Sequence, residues 1–266
     1  MKKTFIALFV LLGASVFAQD VDGILQKYFE ATGGVENWKN IQSLRTVGVM
    51  KMQGMEIPFD GYQSKDGKML QKANFQGKEM IFLASDGQMA WGVNFMTMKA
   101  EKKDNETVEN LKKQAKEIPS PFMDYKEKGY AVSLDGEKDI DGTNTFRVKL
   151  VKDSLLVDGK MIPNVEYYYF DKENYVPIMK EAAIPAGPMA GQKAQTFFGD
   201  YREAGDLILP YEMTSKVNGN VAQSMVLNKY EINPEFDESV LKFPEEAPEK
   251  SAPAEKSMPA DKKEDK

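Results

Sequence analysis

From Ser43 onward the apolar residues recur at every second position, and turn signals break the run at regular short intervals. Met55, Ile57 and Phe59 alternate with Glu56, Pro58 and Asp60, which gives a strand one oily face and one wet face. Leu44, Thr46, Gly48, Met50 and Met52 precede them on one face, joined through Gln53-Gly54. Asp-Gly pairs recur at Asp66-Gly67, Asp86-Gly87, Asp135-Gly136, Asp141-Gly142 and Asp158-Gly159. Such pairs tolerate the positive φ of two-residue turns, so each reads as a hairpin tip. The spacing predicts strands over 43–53, 55–65, 68–76, 79–84, 88–98, 129–138, 144–152, 162–171, 175–184, 192–203, 207–218 and 221–232. A meander of this kind is antiparallel. The fold class expected is mainly β: one large sheet that must curl, with an inner face that must be covered or filled.

Two covers are visible in the helical periods. Val21, Ile24, Leu25, Tyr28 and Phe29 lie on one face of a helix that Gly33-Gly34 ends, and Val35, Trp38 and Ile41 suggest a second short one. Residues 105–117 form a helical insert with Val108, Leu111 and Ala115 among many charges, stopped by Ile118-Pro119. It reads as a surface helix over a sheet edge or mouth, or as a lid.

The ends are of different character. Lys2 and Lys3, the apolar run Phe5 to Leu12 and the small residues leading to Ala18 predict a cleavable signal peptide over 1–18. That run is too short to span a bilayer, and without cysteine no lipid anchor of the lipoprotein type can be attached. Residues 19–244 then form one domain, and 245–266, almost entirely Ala, Pro, Glu, Lys, Ser and Asp, are expected to stay disordered. Loss of the two leading lysines leaves 33 basic residues against 41 acidic ones, which argues against a nucleic-acid partner.

The absences narrow the chemistry further. There is no His and no Cys, so imidazole bases, thiolate nucleophiles and the usual ligands of zinc, copper and iron–sulfur centres are missing. Paired carboxylates remain open to any chain with 41 acidic residues. Asp135, Glu137, Asp139 and Asp141 superficially suggest a calcium loop, but position twelve of that register is Val148 and the flanks are strands. No catalytic residue, metal or cofactor is expected, and the chain is read as a non-enzyme.

Methionine is in excess. Of sixteen, eight (Met50, Met52, Met55, Met69, Met80, Met89, Met96 and Met98) fall within 49 residues on consecutive strands. Unbranched thioethers adapt to ligands of variable shape. The expected apolar cavity is lined by Met50, Met52, Met55, Ile57, Phe59, Met69, Met80, Phe82, Trp91 and Phe95, under a cover of Ile24, Leu25, Tyr28, Val108 and Leu111.

Three stretches carry a family resemblance. Leu83-Ala84-Ser85-Asp86-Gly87-Gln88-Met89-Ala90-Trp91-Gly92-Val93-Asn94-Phe95 resembles the Ser-Asp-Gly strand pair of LolA-like periplasmic lipoprotein carriers. The closing Ser239-Val240-Leu241-Lys242-Phe243-Pro244 is similar to that family's end. Tyr28-Phe29-Glu30-Ala31-Thr32-Gly33-Gly34-Val35-Glu36-Asn37-Trp38 looks like the outer membrane lipoprotein-sorting proteins of Bacteroidota. The resemblance implies an unclosed (half) β-barrel with helices over its concave face. It further implies a periplasmic, monomeric carrier of lipoprotein or lipid acyl chains that works with sorting components of the inner and outer membranes. An envelope sensor or scaffold that binds a protein partner on the same concave sheet is the alternative. Where those carriers place a basic-Arg-Pro sequence, this chain has Ser64-Lys65-Asp66-Gly67, and Lys65 lacks the planar fork of arginine.

Overall fold

The computed structural model describes residues 20–75 and 77–244. The expected signal peptide and charged tail lie outside the described residues. Six strands come first: β1 (Ser43–Met52), β2 (Met55–Ser64), β3 (Lys68–Phe75), β4 (Lys78–Asp86), β5 (Ala90–Val93) and β6 (Ala100–Lys102). Seven follow: β7 (Ala131–Ile140), β8 (Thr143–Val157), β9 (Lys160–Asp171), β10 (Pro177–Ala183), β11 (Lys193–Ala204), β12 (Leu207–Val217) and β13 (Asn220–Ile232). They form one antiparallel sheet in the order β6-β5-β4-β3-β2-β1-β13-β12-β11-β10-β9-β8-β7. The edges β6 and β7 do not pair, so the barrel stays open as expected.

Turn chemistry sets the register at four of the tips. Gln53-Gly54, Asp141-Gly142, Asp158-Gly159 and Asn218-Gly219 all have positive φ at both positions, the backbone that matches a hairpin's twist. Asp135-Gly136 behaves differently from the sequence expectation. It lies inside β7, where the register with β8 shifts between Leu134 and Glu137, and Gly136 takes φ 92°. The positive-φ tolerance there serves a β-bulge in an edge strand, which twists the edge away from intermolecular pairing. The strand expected over 88–98 is also divided. Asn94 Oδ1 accepts from the backbone N–H of Met96 at 2.8 Å, and the resulting turn separates β5 from β6.

Because β6 and β7 occupy opposite edges, the chain between them has to cross the open mouth. That crossing holds α3 (Asn105–Ala115) and a turn-rich segment to Tyr130. The helix α1 (Val21–Ala31), capped by Asp20 Oδ1 on the Gly23 N–H, and the short α2 (Val35–Lys39) sit inside the curve. Ile24, Leu25, Tyr28 and Phe29 of α1 bury their side chains with Phe122, Phe170, Val148, Leu207 and Leu227, making the main core. Tyr28 meets Phe170 edge-on at 5.6 Å between centroids. At the corner after α1, Thr32 donates to the Tyr28 carbonyl at 2.7 Å and accepts from the Trp38 indole at 3.0 Å. Gly33 is required next to it: its φ is +116°, and a Cβ would stand 2.2 Å from the Asp206 carbonyl oxygen.

The convex face of β2–β5 has its own cover. Tyr62, Leu70, Ala84 and Trp91 stand in one cross-strand row, and the C-terminal segment through the 3-10 turn Glu238–Leu241 lies over them. Phe236 stacks on Tyr62 at 3.7 Å and Trp91 Nε1 donates to the Leu241 carbonyl at 2.8 Å.

Candidate functional site

Inside the curve, α1 packs on the β7–β13 half of the sheet and leaves part of the β1–β4 half open. Directly opposed residues in an antiparallel pair share a face, so the register identifies what lines it. Gly48, Phe59 and Ala73 are successive partners, as are Met213, Met225, Met50 and Ile57. Small residues at Thr46, Gly61 and Ala73 leave a hollow, half-buried Met50, Phe59, Phe82 and Met225 give it an apolar wall, and Asp60, Gln71, Lys72 and Gln223 complete the lining. The groove encloses about 410 Å³. Small-molecule sites span roughly 300–1,000 Å³, so it can hold part of an extended apolar ligand.

The residues expected to line a cavity divide among several places. Met50, Phe59 and Phe82 are in the groove wall. Ile57, Met69 and Met80 share its face and are fully buried. Met52 and Met55 pair at the β1–β2 tip, where Met55 is exposed. Phe95 is 58% exposed in the β5–β6 turn, with its ring 5.0 Å from that of Phe82, so it stands at the rim. Trp91 corrects the sequence expectation. Its partner Ala84 faces outward with Leu70 and Tyr62, and the indole is buried under Leu241 and Phe243 on the convex side. Of the expected cover, Ile24, Leu25 and Tyr28 belong to the main core, Val108 is buried on α3, and Leu111 lines a second hollow described next.

That second hollow, of about 400 Å³, lies between α3 and the floor of β8, β9 and β10. Its floor carries charge. Lys152, with only 5% of its side chain exposed, contacts Glu117 at 2.8 Å and Glu166 at 3.2 Å. Lys180 reaches Glu166 at 3.4 Å, and the Tyr168 hydroxyl donates to the same carboxylate at 2.9 Å. Burial pushes the Glu117 carboxyl above its usual range, against the pull of Lys152. Burial acts on Glu166 as well, but Lys180, Lys152 and the Tyr168 hydrogen bond outweigh it and hold that carboxyl low. Sequence reasoning missed this cluster, although a signal exists: Phe146, Val148, Leu150 and Lys152 run on at the same inward parity, as do Phe170, Tyr168 and Glu166.

The helix above this hollow is fastened mainly by polar side chains. β7 pairs with β8 only as far as Val151, so the β8 edge beyond it needs other partners. Asn110 supplies two of them, donating to the Leu156 carbonyl at 2.7 Å and accepting from its N–H at 3.0 Å. Lys113 donates to the Ser154 carbonyl at 2.8 Å, and the Glu106 carboxylate accepts from the N–H groups of Asp158 and Gly159, each at 3.0 Å. Among the described residues no cluster of three or more acidic groups is placed to hold a metal, and no helix is long and apolar enough to cross a membrane.

The sequence matches no family model and no curated protein. Solved structures share its fold. A DUF1329 family protein from Desulfovibrio piger aligns with a TM-score of 0.50 at 13% identity, over 82% of this chain and 97% of its own. An outer membrane lipoprotein-sorting protein domain from Vibrio parahaemolyticus aligns with a TM-score of 0.50 at 12% identity, over 82% and 94%. A LolA superfamily protein from Nitrosomonas europaea gives 0.49 at 10% identity, over 84% and 97%. At such identities the likeness is one of fold alone: a single antiparallel sheet that curls without closing.

Proposed function

We propose that this protein is a non-enzymatic carrier, exported to the periplasm, that shields acyl chains of lipoproteins or of another lipid on their way toward the outer membrane. The observation that carries the reading is the open groove with an apolar wall of Met50, Phe59, Phe82 and Met225, on a concave face whose other half is filled by α1. A concave hollow with an apolar wall and a few polar groups beside it is the usual form of a small-molecule site. Each methylene withdrawn from water contributes about 0.8 kcal/mol, so a partly enclosed chain binds without any covalent step. Reversible release is compatible with the mouth-crossing segment, since water can replace the side-chain hydrogen bonds that hold α3. The fold likeness to a lipoprotein-sorting domain supports this reading. Sorting components at the two membranes are the partners it calls for, and the protein would act as a monomer without a cofactor.

The test is uptake of a fluorescent fatty acid by the purified protein, compared with a Phe59→Asp variant. A carboxylate in the groove wall costs several kcal/mol when a chain desolvates it, so affinity should fall by tenfold or more at about 1.4 kcal/mol per decade. Absence of uptake by the wild-type protein, or equal uptake by the variant, would sink the proposal.

A further inference from the structure

Buried charge is the odd element of the concave face. A buried ion pair recovers its desolvation cost only with good geometry and further hydrogen bonds, and apolar replacements are often as stable. Yet the inward row of β8 ends in Lys152 and that of β9 in Glu166, each at least nine-tenths buried at the side chain. The surrounding hollow is electrically balanced: Lys113, Lys152 and Lys180 face Glu117, Asp153 and Glu166. A ligand carrying only negative charge meets Glu117 and Glu166, and one carrying only positive charge meets Lys152 and Lys180. A ligand with both charges can answer both. Lys180 has donors to spare, because among the described residues its one carboxylate contact is the loose 3.4 Å pair with Glu166.

The hollow also has an apolar annex. Leu155, Asn164 and Glu166 line both it and a neighbouring recess of about 520 Å³, whose other walls include Ile162, Val165, Ala182 and Ile184. Charge at one end and aliphatic surface at the other is the pattern of an amphiphile. We infer that the chamber under α3 reads the headgroup of a zwitterionic lipid, a phosphate ester bearing a primary amine, with Lys152 and Lys180 on the phosphate and Glu117 and Glu166 on the ammonium. The start of an acyl chain lies in the annex. This deepens the carrier reading and rests on it, while using residues separate from the groove.

The experiment incubates the purified protein with vesicles of phosphatidylethanolamine and phosphatidylglycerol in equal amounts, with identical acyl chains. The protein is re-isolated, and the lipid it holds is measured by mass spectrometry. The expected result is an enrichment of phosphatidylethanolamine of about tenfold, the effect of a single well-made charge contact. Glu166→Gln and Lys180→Met should each bring the ratio close to one, while fluorescent fatty-acid uptake by the groove stays at the wild-type level. Glu166→Gln keeps an acceptor for the Tyr168 hydroxyl, and thermal unfolding checks that both variants fold. Excess glycerophosphoethanolamine, which has the headgroup without the chains, should lower the enrichment. A wild-type ratio near one, a preference that survives in both variants, or indifference to that competitor would each overturn the headgroup site while leaving the groove reading intact. Failure to take up any lipid or fatty acid would overturn both.

Discussion

Replacement of Lys152 by methionine asks the chamber floor to hold Glu117 and Glu166 without the cation between them. The stem is matched in length and apolar character, so packing is nearly preserved and the charge is what changes. Removing one partner of a buried pair costs about 3–5 kcal/mol, because the other charge is left desolvated. Glu166 still has Lys180 at 3.4 Å and the Tyr168 hydroxyl at 2.9 Å, whereas among the described residues Glu117 keeps no cation in ion-pair contact and feels Lys180 only from farther off. The lower end, about 3 kcal/mol, is therefore expected at neutral pH. For a domain of this size each kcal/mol shifts Tm by about 2–4 °C, so calorimetry should record a fall of about 6–12 °C. The pH dependence separates this cause from a packing defect. Glu117 already has a raised carboxyl pKa in the folded state, and loss of Lys152 raises it further. Between the unfolded value of 4.5 and that raised value the folded state binds more protons, so stability falls as pH rises and returns as pH drops. The depressed Glu166 acts in the opposite sense, since its contribution is present above 4.5 and is lost on acidification. Removing Lys152 weakens that opposing contribution. The variant should therefore recover part of its deficit against wild type at about pH 5. Adding Glu117→Gln and Glu166→Gln should restore most of the Tm at pH 7. A single variant as stable as wild type, or a deficit independent of pH, would refute the argument from desolvated charge.

Three further perturbations test other parts of the fold. Gly33→Ala should destabilise by about 1–3 kcal/mol from the backbone conformation alone, and by more as the helix corner retreats from Asp206, read as a fall in the urea midpoint. Trp91→Phe removes the hydrogen bond to the Leu241 carbonyl, costing about 1 kcal/mol, and hydrogen exchange over residues 236–243 should quicken while the concave face is unaffected. Asn110→Ala withdraws both bonds from the Leu156 backbone, so exchange at the β8 edge around Leu156 should rise with little change in global unfolding.

The sheet was legible because turn chemistry and two-residue periodicity agree along most of the chain. Where they failed, one sequence signal served two backbone devices or both faces were buried. Asp135-Gly136 encodes positive φ, which a bulge needs as much as a tip does. In β5 the run Ala90-Trp91-Gly92 is buried throughout, because the C-terminal segment covers one side, and no alternation remains to say which way Trp91 points. The methionine cluster was a partial guide. Met50 walls the groove and Met69 and Met80 are buried, but Met96 is 95% exposed, a position that residue type alone does not distinguish. Charged side chains at inward parity, as at Lys152 and Glu166, were the sharper clue to a polar chamber.

The strand order has a consequence for how the molecule is made. The middle of the sheet is the pairing of β1 with β13, so its two chain-consecutive halves are joined by the first strand and the last. A chain delivered N-terminus first keeps the outer edge of β1 bare until residues 220–232 arrive. Closure of that seam is a long-range step, slow by its loop entropy and open to wrong partners while it waits. How long the bare edge of β1 waits for residues 220–232 then sets how long the chain is exposed to wrong pairing.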